Sequence, residues 1–152
     1  MKDRIFIIDG SSYLYRAYHA MPPLTTSDGR PTGAIKGVTN MLMTLKKDSE
    51  GSPIIVTFDA KGKTFRNDIY DSYKANRPPM PDDLREQLVP LKNVCRAIGF
   101  PLIEIEGVEA DDVIATLVRI AKENNFKSVI SSLDKDLMQL VEDPSAKMMN
   151  TM

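Results

Sequence analysis

Four short apolar runs in this chain each lead into carboxylates, and that repetition limits the fold more than any other feature. Ile5-Phe6-Ile7-Ile8 ends at Asp9. Ile54-Ile55-Val56-Thr57-Phe58 ends at Asp59. Leu102-Ile103-Glu104-Ile105 is followed by Glu109, Asp111 and Asp112, and Ser128-Val129-Ile130-Ser131 by Asp134 and Asp136. Short apolar runs bounded by turn residues read as buried strands. Between them lie helical patterns. Residues 33–47 carry Ile35, Val38, Met41, Leu42 and Leu45 at helical spacing before Gly51-Ser52-Pro53 breaks the run. Residues 82–98 form a long amphipathic pattern stopped by Gly99 and Pro101. Val113, Ile114, Leu117, Val118, Ile120 and Ala121 mark a third helix that ends at Asn124-Asn125. Strands alternating with helices predict an α/β fold, a mostly parallel Rossmann-like sheet with helices on both faces. Right-handed crossovers then bring every strand's C-terminal end to one edge.

The remaining segments fit this frame. Ser11-Ser12 is expected to cap a short helix carrying Tyr13, Leu14, Tyr15, Arg16 and Tyr18. Residues 20–32 are rich in Pro, Thr, Ser, Asp and Gly and read as a loop. Leu137, Leu140 and Val141 suggest a short helix, and Lys147-Met148-Met149-Asn150 the start of a fifth strand. A length of 152 residues, 42% hydrophobic and 27% charged, suits one globular domain with a real core. No apolar run approaches 18 residues, so no membrane span is expected. Met1-Lys2-Asp3-Arg4 opens nothing like a signal peptide. The lone Cys95 falls at helical spacing with Leu84, Leu88, Leu91 and Ile98. It reads as core, and one cysteine suits a reducing, cytoplasmic setting.

A net charge of −1 gives no overall nucleic-acid signal, but the charge is uneven. Residues 1–80 hold 12 Lys and Arg against 8 Asp and Glu, whereas residues 81–152 hold 8 against 13. That split matches a phosphate-binding surface beside a metal cluster, and equally two unevenly solvated faces. Within the basic half, residues 60–80 follow a strand without a core pattern. Lys61, Lys63, Arg66, Lys74 and Arg77 alternate there with Phe65, Tyr70 and Tyr73. Cations neutralise phosphates and aromatics stack on unpaired bases, worth ~1–3 kcal/mol per base. A solvated amphipathic segment is the plainer reading of the same residues.

The acids of Gly107-Val108-Glu109-Ala110-Asp111-Asp112 occupy the first turn of the third helix. Acids there offset the helix dipole by ~0.3–1 kcal/mol each. Asp111, however, shares a stripe with Ile114 and Val118, the stripe that must face the protein. An inward carboxylate needs a partner, and a metal ion is one. With Asp9, Asp59, Asp134 and Asp136, seven carboxylates reach one edge, where open α/β sheets place their ligands. Solvated strand-end acids account for any one of these positions. Together they call for cations, and hard ions such as Mg²⁺ or Mn²⁺ take oxygen ligands. Seven acids suffice for two ions, which at ~3.5–4 Å apart clamp the attacking and leaving oxygens of phosphoryl transfer. His19 is the only histidine, and neither a G-x-S-x-G elbow nor a Walker A run is present. A phospho-receiver domain also gathers acids around Mg²⁺ and could use Asp59. It gives no task to the acids at 109–112 or to the basic stretch.

Several long motifs carry a resemblance. Ile8-Asp9-Gly10-Ser11-Ser12-Tyr13-Leu14-Tyr15-Arg16-Ala17-Tyr18-His19-Ala20 is one. Others are Phe58-Asp59-Ala60-Lys61-Gly62-Lys63-Thr64-Phe65-Arg66, Tyr73-Lys74-Ala75-Asn76-Arg77-Pro78-Pro79-Met80-Pro81, Gly107–Asp112 and Asp134-Lys135-Asp136. In this order they resemble the 5′→3′ exonuclease domain of bacterial DNA polymerase I, in the flap endonuclease family with its PIN-like fold. The resemblance implies Mg²⁺- or Mn²⁺-dependent cleavage of DNA at 5′ flaps, nicks and 5′ ends in replication and repair, with two ions in the complete domain. It implies metal roles for Asp9, Asp59, Glu109, Asp111, Asp112, Asp134 and Asp136. Arg16, Lys74 and Arg77 are implied at the scissile bond. DNA contact is implied for Arg16, Tyr18, Lys61, Lys63, Arg66, Tyr73, Lys74 and Arg77, with residues 61–80 arching over the single strand. A monomer is expected, joined to a polymerase domain where the chain is longer. Leu133 departs from the Gly usual before Asp-Lys-Asp. The family also carries a further acidic pair and a duplex-gripping helical element beyond the equivalent of residue 152. Residues 1–152 are therefore expected to be the N-terminal PIN-like portion, holding its second ion weakly and cleaving slowly. A catalytically silent DNA- or metal-binding fragment is the alternative.

Overall fold

The computed structural model describes residues 4–59, 80–132, 135–141 and 146–149, and only the backbone of residues 135, 136, 138 and 149. Five strands form one sheet: β1 (Arg4–Asp9), β2 (Ile54–Thr57), β3 (Leu102–Ile103), β4 (Lys127–Ser131) and β5 (Ala146–Met149). Their order is β3-β2-β1-β4-β5, and each described pairing is parallel. β1 lies in the middle, and its alternation divides the core. Phe6 and Ile8 enter the larger cluster with Leu14 of α1 (Gly10–Ala20), Val38 and Leu42 of α2 (Gly33–Asp48), and Leu84, Leu91 and Cys95 of α3 (Asp82–Ile98). Ile7 enters the smaller one with Ile114 of α4 (Ala110–Glu123), Ile130, and Leu137 of a 3₁₀ helix over Lys135–Leu140. Successive strand residues point to opposite faces, so one apolar run serves both layers. Helices cover both faces, as the strand–helix alternation predicts.

Several boundaries differ from the sequence expectation for local reasons. α1 begins at Gly10, and its cap is the Asp9 carboxylate, which accepts the Ser12 N–H at 3.3 Å. β3 stops at Ile103 rather than Ile105. Its partner β2 ends at Thr57, and the Phe58 N–H takes the Ile103 carbonyl at 3.1 Å. Glu104 then turns to meet Lys92, with Nζ and Oε2 2.6 Å apart. The short helix expected around 137–141 is the 3₁₀ turn, and β5 starts one residue earlier than its apolar run suggested. Gly99 ends α3 with φ 103°, a left-handed value that costs glycine nothing sterically. Among the described residues, no helix is long and apolar enough to cross a membrane.

Candidate functional site

Parallel strands hand their C-terminal ends to one edge, and there the first acids meet. Asp9 closes β1 and is only 4% exposed. Its Oδ2 accepts hydrogen bonds from the Ser12 Oγ at 2.8 Å and the Ser132 Oγ at 2.7 Å. The two hydroxyl oxygens lie 3.1 Å apart. Burial pushes the Asp9 carboxyl above the usual range, the serine hydrogen bonds oppose that, and the charge of Asp59 adds to it.

Asp59 lies two residues beyond β2 and is exposed. Its Oδ1 accepts the Ala110 N–H at 2.7 Å, and its Oδ2 the Ser11 hydroxyl at 3.3 Å. Asp59 thus caps α4 from another strand, while Glu109, the residue at the N-cap position, makes no capping bond with its own side chain. One carboxylate thereby ties the end of β2 to the starts of α1 and α4. Glu109 is buried at 3% exposure, and Asp111 and Asp112 are half-buried in the first turn of α4.

Close backbone approach makes this possible. A Cβ on Gly10 would stand 2.6 Å from the Thr57 carbonyl oxygen and 2.7 Å from Cζ of Phe58. The start of α1 therefore rests directly on the end of β2. The Lys92 Nζ lies 5.6 Å from the Phe58 ring centroid.

The structure thus gathers Asp9, Asp59 and the start of α4 at one edge. It does not complete a metal cage: among the described residues, no three Asp, Glu, His or Cys side chains lie close enough together to hold an ion. Asp134 and the side chain of Asp136 lie outside the described residues. The donors present are hard oxygens, and a buried carboxylate opposed by a second is a setting a divalent cation relieves. The residues fit such an ion.

The expected DNA contacts divide differently. Arg16 is half-buried on α1. Tyr18 donates its hydroxyl to Asp83 at 2.8 Å and so braces α1 against α3. Lys61, Lys63, Arg66, Tyr73, Lys74 and Arg77 lie outside the described residues, as does all but the last residue of the expected arch at 61–80. His19 lines a cavity of about 580 Å³ with Tyr18, Leu24, Asp83 and Gln87, which neither Asp9 nor Asp59 lines. The hydroxyls of Ser131 and Ser132 went unnoticed in the sequence. Ser131 Oγ lies 2.6 Å from the Tyr13 hydroxyl oxygen, and Ser132 reaches Asp9. The signal was two adjacent serines closing an apolar strand.

Known proteins share this sequence and fold. The family described as 5′-3′ exonuclease, N-terminal resolvase-like domain, matches residues 4–152. DNA polymerase I of Pseudomonas aeruginosa is 58% identical, over 97% of this chain and 16% of the polymerase. The 5′-3′ exonuclease of Aquifex aeolicus is 47% identical, over 91% of this chain and 48% of the exonuclease. The chain thus spans less than half the length of either relative. A bacteriophage T5 flap endonuclease, crystallised with DNA and metal ions, superposes with a TM-score of 0.73 at 26% identity, covering 95% of this chain and 54% of that one. The chain belongs to the family of 5′-3′ exonuclease N-terminal, resolvase-like domains.

Proposed function

We propose that this chain is the N-terminal PIN-like portion, residues 1–152, of a divalent-metal-dependent 5′→3′ exonuclease and flap endonuclease. It acts on DNA phosphodiester bonds in replication and repair, as part of a DNA polymerase I. The observation that carries the reading is the Asp9 carboxylate, buried at the sheet edge and opposed there by Asp59. Asp9, Asp59, Glu109 and Asp111 hold one Mg²⁺ or Mn²⁺; Asp112, Asp134 and Asp136 contribute to a second. Bound ions supply an activated water and charge stabilisation for phosphodiester hydrolysis. The protein's own residues do the orienting. Ser11, Ser12 and Ser132 fix the carboxylates of Asp9 and Asp59. Arg16, Lys74 and Arg77 hold the scissile phosphate. Lys61, Lys63, Arg66 and Tyr73 track the single strand within an arch over 61–80, and Tyr18 contacts DNA from α1. The protein works as a cytoplasmic monomer.

A labelled 5′-flap duplex, incubated with the chain and Mg²⁺ or Mn²⁺, tests this. Cleavage near the flap base that stops with chelator and with Asp9→Asn is the expected result. Flap binding without cleavage under either ion favours the silent-fragment reading instead.

A further inference from the structure

Asp9 is held in an asymmetric way. An ionised carboxylate offers about four lone-pair positions. Both hydroxyl donors go to Oδ2, from Ser12 at 2.8 Å and Ser132 at 2.7 Å. Among the described residues, Oδ1 receives only the Ser12 backbone N–H, at a longer 3.3 Å. Ser132 comes from a different strand end. The β1–β4 ladder finishes at Ile8↔Ser131, so Ser132 extends β4 in register with Asp9. Ser131 has the opposite phase and reaches Tyr13 on the α1 side. Ser132 is 6% exposed and stands two residues before Asp134.

We infer that Ser132 is a positioning residue: with Ser12 it occupies Oδ2 of Asp9, so that Oδ1 is the oxygen presented to a divalent cation. This rests on the metal-dependent reading above. A hydrogen bond to a ligating carboxylate fixes its orientation, and losing such a partner typically costs ~10–100-fold in metal affinity. The bond also ties the acid of β1 to the strand end that leads into Asp134 and Asp136.

The test uses Mn²⁺ alone, titrated calorimetrically into the chain and into Ser132→Ala, Ser132→Val and Ser132→Thr, with thermal unfolding of each in the absence of metal. Val and Thr have the same shape and differ in the hydroxyl. Ser132→Thr should bind Mn²⁺ close to wild type. Ser132→Val and Ser132→Ala should bind about 10–100-fold more weakly, while both still unfold cooperatively in the absence of metal. Wild-type affinity in Ser132→Val overturns the inference. So does equal weakening in Val and Thr, which would mean that packing alone matters. Should Ser132→Val fail to fold, Ser132→Ala against Ser132→Thr gives the same comparison. Failure of the wild-type chain to bind Mn²⁺ at all is a separate result, overturning the metal-dependent reading and this inference with it.

Discussion

Gly10 shows how one missing methyl sets the geometry of the edge. The 2.6 Å from its built Cβ to the Thr57 carbonyl oxygen is a contact with backbone, which cannot rotate away. The Phe58 ring at 2.7 Å is itself fully buried and held beside Lys92. Gly10→Ala must therefore push α1 off β2, and Asp9 away from Asp59. Overpacking of this kind costs ~1–3 kcal/mol, and each kcal/mol lowers Tm by about 2–4 °C at this chain length. A melting curve for Gly10→Ala checks it, and an unchanged Tm would mean the backbone gives without strain. At Cys95 the same density acts on chemistry: burial pushes the thiol up to about 11, which suits an unreactive core residue rather than a nucleophile.

At the scale of elements, two helices are capped by residues distant in the chain. The α2 N-cap residue Thr32 makes no side-chain capping bond. Instead Gln87 of α3, 3% exposed, accepts the Ile35 N–H through Oε1 at 3.0 Å and donates from Nε2 to the Asp83 carbonyl at 3.0 Å. Gln87→Ala leaves a buried N–H without its acceptor and should cost ~1–2 kcal/mol. Thr32→Ala should change little, because no cap bond is lost. Chemical denaturation of both variants decides this, and equal losses would place the cap on Thr32 after all. The α4 cap from Asp59 works the same way. The partners lie 52 and 51 residues apart in sequence, so no local rule could find them. What was legible was local: four apolar runs with acids behind them, helical stripes, and glycine and asparagine stops. That placed each strand at the right position and brought Asp9 and Asp59 to one edge. It missed where β3 ends, because that end is set by the length of its neighbour. It also missed the serines, because a hydroxyl's partner depends on which strands become adjacent.

For the molecule as a whole, the edge proposed to serve chemistry is also where stability is given up. Burial raises the Asp9 carboxyl above its ordinary value, and the nearby Asp59 charge adds to this. A group raised in the folded state keeps its proton longer there than in the unfolded chain. The stability it contributes is fully present below the unfolded value of 3.8 and is lost as pH rises through the higher folded value. Once ionised, Asp9 is thus a deficit that the rest of the core offsets. Asparagine caps a helix as well as aspartate does, and the two serine hydroxyls can turn to suit it. Asp9→Asn should therefore stabilise the metal-free chain, by about 0.5–2 kcal/mol, the range of single stabilising substitutions, or ~2–4 °C per kcal/mol. On the proposed reading, a divalent cation at the edge removes the same deficit in the wild type. At ten times its Kd it adds ~1.4 kcal/mol. Melting curves of wild type and Asp9→Asn, each with and without Mg²⁺ or Mn²⁺, give the four temperatures needed. The wild type should rise with the ion, and Asp9→Asn should start higher and respond little. A variant that starts lower, or gains as much from the ion as the wild type, would show that Asp9 is neither the buried charge that costs stability nor the carboxylate that meets the ion.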